Sequence, residues 1–266
     1  MKFSSPILIS GATGLVGSAI YRRLKKDGYT NLLTPVHGEL DFTDARAVSD
    51  YFMRTRPRYV FMAAARVGGI LANETYPADF IYQNLAIQNT LIHQSWQHNV
   101  EKAIFLGSSC IYPKLCPQPM KEKHLLTGPL EPTNEPYAIA KIAGIEMCWA
   151  YNRQYNTRFV PVMPTNLYGP NDNFDLETSH VMAALIRKFH EAAQNNQPAV
   201  TVWGTGTPKR EFLHVDELAD ACVFLMNQPD TAIHYQNRPL FNIGAGCDID
   251  IKTLAQLIKN ITGYTG

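Results

Sequence analysis

Short, nearly all-apolar strand signals alternating with amphipathic helix signals constrain this chain more than any other feature. Residues 6–10 are β-rich and end at Gly11. Residues 15–27 then place Val16, Ala19, Ile20 and Leu24 at helical spacing, with Arg22, Arg23, Lys25 and Lys26 between them and Gly28 as the stop. The alternation continues through strand 31–36, helix 44–56, strand 58–64, helix 77–99, strand 102–107, a loop over 108–135, helix 137–155 and strand 158–163. A strand that is apolar on both sides needs cover on both sides, and helices between strands supply it when the strands run parallel. The expected fold is α/β, with a doubly wound parallel sheet over residues 1–165.

Past residue 165 the pattern loosens. A Pro/Asn/Asp-rich loop (Pro164 to Asp175) precedes a helix at 179–194, a strand at 199–203 and a glycine turn at Gly204-Thr205-Gly206. A helix at 216–227, a strand at 240–243 and a helix at 250–262 follow. Residues 166–266 are expected to form a smaller C-terminal substrate lobe, with segments near 207–246 returning to the first domain. The sequence stops at Gly266, where a further strand is expected, so the lobe is expected to be C-terminally truncated.

The balance of 24 basic and 23 acidic residues predicts no basic face for nucleic acid. The apolar runs fall well short of the eighteen or so residues that span a bilayer, and the N-terminus lacks a signal peptide's long apolar stretch. Five scattered cysteines, with no Cys-x-x-Cys, predict neither disulfides nor a metal site and suit a reducing cytoplasm.

Gly11-Ala12-Thr13-Gly14-Leu15-Val16-Gly17 spaces three glycines between the first strand and the first helix. A Cβ there would block both the tight turn and the approach of a pyrophosphate to the free N–H groups at the helix start. This makes the domain Rossmann-type, binding a dinucleotide. NAD sites usually place an acid at the end of the second strand. Here that stretch reads Pro35-Val36-His37-Gly38, which leans towards NADP. Arg22, Arg23 and His37 are available for a 2′-phosphate.

Tyr137 and Lys141, at i and i+4, share one helical face. Ser108 and Ser109 follow strand 102–107, at the carboxyl edge where open α/β sheets bind ligands. A phenol near pKa 10 is a poor catalyst at neutral pH, and a neighbouring ammonium lowers that value. A serine hydroxyl can hold a substrate oxygen.

These motifs run on in a string: Ala64-Ala65-Arg66-Val67-Gly68-Gly69-Ile70, Tyr76-Pro77-Ala78-Asp79-Phe80, Gly107-Ser108-Ser109-Cys110-Ile111-Tyr112-Pro113, Glu135-Pro136-Tyr137, Pro164-Thr165-Asn166-Leu167-Tyr168-Gly169-Pro170, Ser179-His180-Val181 and Arg210-Glu211-Phe212-Leu213-His214-Val215-Asp216. The chain thereby resembles the extended short-chain dehydrogenase/reductases and, among them, the GDP-L-fucose synthases. The resemblance implies 3,5-epimerisation of a GDP-4-keto-6-deoxy-sugar followed by NADPH-dependent reduction at C4. It implies Tyr137, Lys141 and Ser108 for reduction and Cys110 with His180 for epimerisation. Two groups are needed because inversion takes a proton from one face of a carbon and returns one to the other. For the cofactor it implies Gly11, Thr13, Gly14, Leu15, Val16, Gly17, Asp41, Leu106, Gly107, Ser108, Lys141, Pro164, Thr165, Asn166, Leu167 and His180. For the GDP-sugar it implies Lys188, Trp203 and Arg210. Thr13 and His37 stand where bacterial relatives often carry arginines for the 2′-phosphate. The resemblance also implies a homodimer built on helices 77–99 and 137–155, with Ile81, Leu85, Ile145 and Trp149 on their outer faces or in the core. A 4-epimerase or 4-reductase for another nucleotide sugar would need only Ser108, Tyr137 and Lys141, and an inactive fragment would only bind dinucleotide.

Overall fold

The computed structural model describes residues 1–233 and 238–266. Residues 234–237, inside the expected return segment 207–246, lie outside the described residues. The strands are β1 (Ile7–Ser10), β2 (Leu32–Leu33), β3 (Tyr59–Met62), β4 (Lys102–Leu106), β5 (Phe159–Pro164), β6 (Asn166–Tyr168), β7 (Lys209–His214), β8 (Phe241–Ile243) and β9 (Asp248–Asp250). The helices are α1 (Leu15–Lys26), α2 (Ala45–Thr55), α3 (Ile70–Thr75), α4 (Pro77–Gln97), α5 (Glu135–Tyr155), α6 (Val181–Gln194), α7 (Val215–Asn227), α8 (Asp230–Ile233) and α9 (Ile251–Thr262).

Among the described residues six strands form one sheet in the order β2-β1-β3-β4-β5-β8, every pair parallel. β1, β4 and β5 are buried at every position, which is why they read as unbroken apolar runs. One face of the sheet packs on α1 and α7 through Ile20, Leu24, Leu218 and Cys222. The other packs on α2, α4 and α5 through Phe52, Leu91, Ile145 and Trp149. Each such apolar side chain contributes ~1.5–3 kcal/mol by leaving water.

Gly144 brings α5 down onto the sheet: a Cβ there would stand 2.9 Å from Phe105 Cε1. Beside it Gln88 Nε2 of α4 donates to Ala140 O at 2.6 Å. That docking turns Ile145 and Trp149 inward. Both are buried, and Trp149 Nε1 donates to Pro239 O. They belong to the core rather than to an outer face; Ile81 and Leu85 remain half-buried on α4.

The smaller lobe has its own core, where α6 and α9 meet through Leu185, Phe189, Leu254 and Ile258. Its sheet, β6-β7-β9, was not expected. β6 and β9 have three residues each, and β7 exposes Lys209 and Arg210. The expected strand at 199–203 does not form. Val200 and Val202 spend their apolar surface on the α6/α9 core instead. Gly204 and Gly206 turn the chain as expected, at φ +74° and +75°.

Candidate active site

Parallel strands bring their carboxyl ends to one edge. The chain leaves β1 towards β2 on one side and β3 on the other, and a crevice opens where that direction reverses. The glycine turn lies there. Gly11 has φ +70°, and Gly14 N donates to its carbonyl at 3.0 Å. A Cβ on Gly17 would lie 2.9 Å from Ala12 Cα, so no larger residue fits. A Cβ on Gly14 would make only an ordinary 3.5 Å contact with Gly11 O. Internal packing therefore does not require Gly14, whereas an approaching pyrophosphate does. The first turn of α1 carries no side-chain cap and no acidic residue, leaving its N–H groups for an anion. The cradle fits a dinucleotide phosphate.

A cavity of about 880 Å³ runs from this turn along the carboxyl edge. Every expected cofactor residue lines it: Gly11, Thr13, Gly14, Leu15, Val16, Gly17, Asp41, Leu106, Gly107, Ser108, Lys141, Pro164, Thr165, Asn166, Leu167 and His180. Thr165 adds a buried hydroxyl with no hydrogen-bond partner. Ala63 to Gly68, Tyr82, Asn171 and Asp172 also line the cavity without having been assigned to it. For the first group the available signal was position after an apolar strand next to the glycine strand. Asn171 and Asp172 come from the lobe, and only tertiary structure places them.

At the end of the cavity near β2, His37 and Asp41 form the wall. Thr43 donates to Asp41 Oδ1 from both its amide and its hydroxyl at 2.8 Å, holding that carboxyl below its usual range. Arg22 and Arg23 are not free for a 2′-phosphate. Arg22 pairs with Asp216 at 2.5 Å and Arg23 with Asp27 and Asp220, which spends both on the packing of α1 against α7.

Ser108, Tyr137 and Lys141 converge on the same cavity. Ser108 stands at the end of β4 in extended conformation. Lys141 is buried, its Nζ donating to Leu106 O at 2.8 Å and lying 5.8 Å from the Tyr137 ring centre. Burial drops Lys141 to about 8. Burial also pushes the Tyr137 phenol up, against a smaller opposing pull from Ser108. The sequence predicts a lowering of Tyr137 by its ammonium neighbour; in the structure burial, and after it the nearby Cys110, raise it instead. Tyr137 keeps its proton at neutral pH.

Cys110 lies two residues after Ser108 in the short turn Ser109–Ile111, its thiol hydrogen-bonded to the Ser108 hydroxyl and near Lys141, and it does not itself line the cavity. Burial pushes its thiol up to about 11. His180 immediately precedes α6 on the lobe side, and its side chain makes no capping bond to that helix and lines the cavity. Surrounding protein lowers its pKa, and the Asp172 carboxylate partly restores it. The pair therefore starts as a thiol and a neutral imidazole.

Lys188, Trp203 and Arg210 lie outside the walls of this cavity. Lys188 Nζ stands 4.2 Å over the Trp203 ring, and Trp203 is 66% exposed, which excludes a core role. Arg210 is exposed on β7, with Nη1 donating to Lys209 O.

The pattern of the NAD dependent epimerase/dehydratase family matches residues 7–244. GDP-L-fucose synthase 1 of Arabidopsis thaliana is 55% identical over 99% of this chain and 80% of its own length. GDP-L-fucose synthase of Escherichia coli is 54% identical over 98% of this chain and 82% of its own. A solved structure, the Campylobacter jejuni GDP-mannoheptose C4 reductase MlghC with NADP bound, superposes with a TM-score of 0.92 at 39% identity, covering 100% of this chain and 86% of that one. With that sheet, that glycine cradle and these relatives, the chain belongs to the NAD dependent epimerase/dehydratase family.

Proposed function

We propose that this chain catalyses GDP-L-fucose synthesis: 3,5-epimerisation of GDP-4-keto-6-deoxy-D-mannose, then reduction at C4 with NADPH. One observation carries the reading. Ser108, Tyr137, Lys141 and His180 line the same cavity, which begins at the glycine turn, and the Cys110 thiol is hydrogen-bonded to Ser108 without itself lining it.

The C4 carbonyl acidifies the hydrogens on C3 and C5, so a neutral imidazole can accept one and a protonated thiol can return one. Cys110 and His180 start in those two states. NADPH, when bound, supplies the hydride for C4. Tyr137, holding its proton, gives it to the C4 oxygen, and Ser108 donates a hydrogen bond to that oxygen. Lys141 holds the nicotinamide ribose and repays the charge left on the phenolate. Gly11 to Gly17 hold the pyrophosphate, Asp41 the adenine side, and Pro164 to Leu167 flank the nicotinamide. Lys188, Trp203 and Arg210, on the lobe, take the GDP moiety. Residues 1–165, with the returning α7 and β8, act as the cofactor domain, and the rest of 166–266 acts as the substrate lobe. The enzyme works in the cytoplasm as a homodimer through α4 and α5, with Ile81 and Leu85 in the seam. Among the described residues no helix is long and apolar enough to cross a membrane.

The test is incubation with GDP-4-keto-6-deoxy-D-mannose and NADPH in D2O, following NADPH absorbance and deuterium at C3 and C5 of the product. A plain C4 reductase, as the Campylobacter relative is named, would consume NADPH without exchanging either position.

A further inference from the structure

His180 is the one acid-base group of the proposed site that comes from the lobe, so something must fix its distance from Cys110. Part of the answer is local. Asp175 Oδ1 accepts from Thr178 N at 2.9 Å, Thr178 Oγ1 at 2.8 Å and Glu177 N at 3.1 Å, while its carbonyl accepts from Ser179 N. Asn173 Nδ2 donates to Thr178 Oγ1. Residues 173–179 are thus a loop knitted by its own hydrogen bonds. Its internal bonds do not fix where it sits on the cofactor domain.

Gly68 and Gly69 supply that placement. Gly69 N donates to Thr178 O at 2.8 Å, across more than a hundred residues of sequence. A Cβ on Gly69 would stand 2.5 Å from Ser179 O, and one on Gly68 would meet Ala72 Cβ at 3.0 Å and Phe80 Cζ at 3.1 Å. Gly69 has φ −68°, so its need for glycine is not conformational. It is the close passage of the loop's backbone. From behind, Asn73 Nδ2 donates to Gly68 O at 2.8 Å and Gly69 O at 2.9 Å, and Asn73 is buried. The glycine pair is pinned on one side and carries the loop on the other, with His180 the next residue after Ser179.

The geometry points to Gly69, held by Asn73, as the positioning residue for His180: a seat that sets the imidazole's place in the epimerisation step and leaves the hydride step alone. Ser108, Tyr137 and Lys141 belong to β4 and α5 and have no part in this contact. The inference rests on His180 acting in epimerisation, as proposed above.

The experiment separates the two half-reactions in the intact protein. Epimerisation is read as deuterium uptake at C3 and C5 of GDP-4-keto-6-deoxy-D-mannose in D2O without NADPH. The hydride step is read as initial NADPH formation from GDP-L-fucose and NADP+, which moves no proton at C3 or C5. Gly69→Ala must push Ser179 back by about an ångström, and a misplacement of that size costs ~100-fold. The expected result is a ~100-fold loss of exchange with NADPH formation kept within threefold. Asn73→Ala adds no atoms and should lose exchange in the same direction by a smaller factor, so it decides the matter if Gly69→Ala fails to fold. Melting curves and NADPH titrations accompany both. Parallel loss of exchange and NADPH formation, or undiminished exchange in both variants, overturns the positioning role. A wild-type chain that forms NADPH from GDP-L-fucose but exchanges no deuterium removes the epimerase reading itself, and the inference with it.

Discussion

Gly17→Ala tests the cofactor cradle most directly. The added methyl would lie 2.6 Å from the Gly11 carbonyl carbon and 2.9 Å from Ala12 Cα, and closer still to the Gly11 oxygen, where ordinary contact begins at 3.4 Å. All three neighbours are backbone atoms, so no side chain can swing aside. The start of α1 has to retreat from the end of β1 by more than an ångström to clear the Gly11 oxygen. Overpacking of this kind costs ~1–3 kcal/mol of stability. The retreat also withdraws the uncapped N–H groups of α1 from a bound pyrophosphate. Losing two charge-assisted bonds at ~1.5–3 kcal/mol each raises Kd for NADPH by ~10²–10⁴. The assay is NADPH fluorescence titration beside thermal melting. Gly14→Ala is the control, because its methyl makes only an ordinary 3.5 Å contact. It should melt like the wild type and still bind NADPH at least ~10-fold more weakly, since the methyl intrudes on the ligand's side. If Gly17→Ala binds NADPH within threefold of the wild type, the cradle does not hold the pyrophosphate and the cofactor placement falls.

Four further expectations follow from the site. Tyr137→Phe should lower NADPH formation from GDP-L-fucose by at least ~100-fold while NADPH still binds, because only the proton carrier is gone. Cys110→Ser should do the reverse, cutting deuterium exchange at C3 and C5 while NADPH formation continues. Exchange should persist below pH 6.5, the ordinary imidazole value, and fall as pH drops through the lowered value of His180; Asp172→Asn, by removing the carboxylate that raises it, should carry that acid limb to still lower pH. Trp203→Ala should raise KM for the GDP-sugar by ~10-fold, equivalent to ~1.4 kcal/mol, with NADPH affinity unmoved, and an unchanged KM would place the nucleotide elsewhere.

What the sequence disclosed tracks how local the physics is. β1, β3, β4 and β5 are recognisable because their burial on both faces leaves an apolar run with a glycine or proline near its end. The glycine turn is recognisable because backbone geometry and ligand approach both demand glycine there. Tyr137 and Lys141 share a face through helical spacing alone. By contrast, β6 and β9 have only three residues, and β7 begins Lys209-Arg210-Glu211, so no period of two with an apolar face stands out. Ile145 and Trp149 read equally well as outward or inward, and the inward choice was made by Gly144 letting α5 settle on Phe105. Arg22 and Arg23 looked available until Asp216 and Asp220, nearly two hundred residues later, took them. Asp172 shows no signal at all in a loop rich in Asn and Asp. Its place beside His180 depends on how the loop between β6 and α6 folds back on itself.

The two halves of the proposed chemistry differ in what they ask of the fold. Ser108, Tyr137 and Lys141 stand on β4 and α5, which share one core, so their spacing is set by the most buried part of the molecule. Cys110 belongs to that same frame, but His180 belongs to the lobe and reaches it across the Gly69–Thr178 contact. At saturating GDP-sugar, hydride transfer at C4 should therefore survive perturbations that shift the His180 loop by an ångström, whereas proton transfer at C3 and C5 should not. Mild denaturant provides the corresponding measurement. Urea well below the unfolding midpoint loosens weakly packed interfaces before it unfolds a core. Deuterium exchange should then decline at lower urea than NADPH formation from GDP-L-fucose. Coincident decline of the two activities would mean that lobe and sheet yield together, and that His180 is held as firmly as Tyr137.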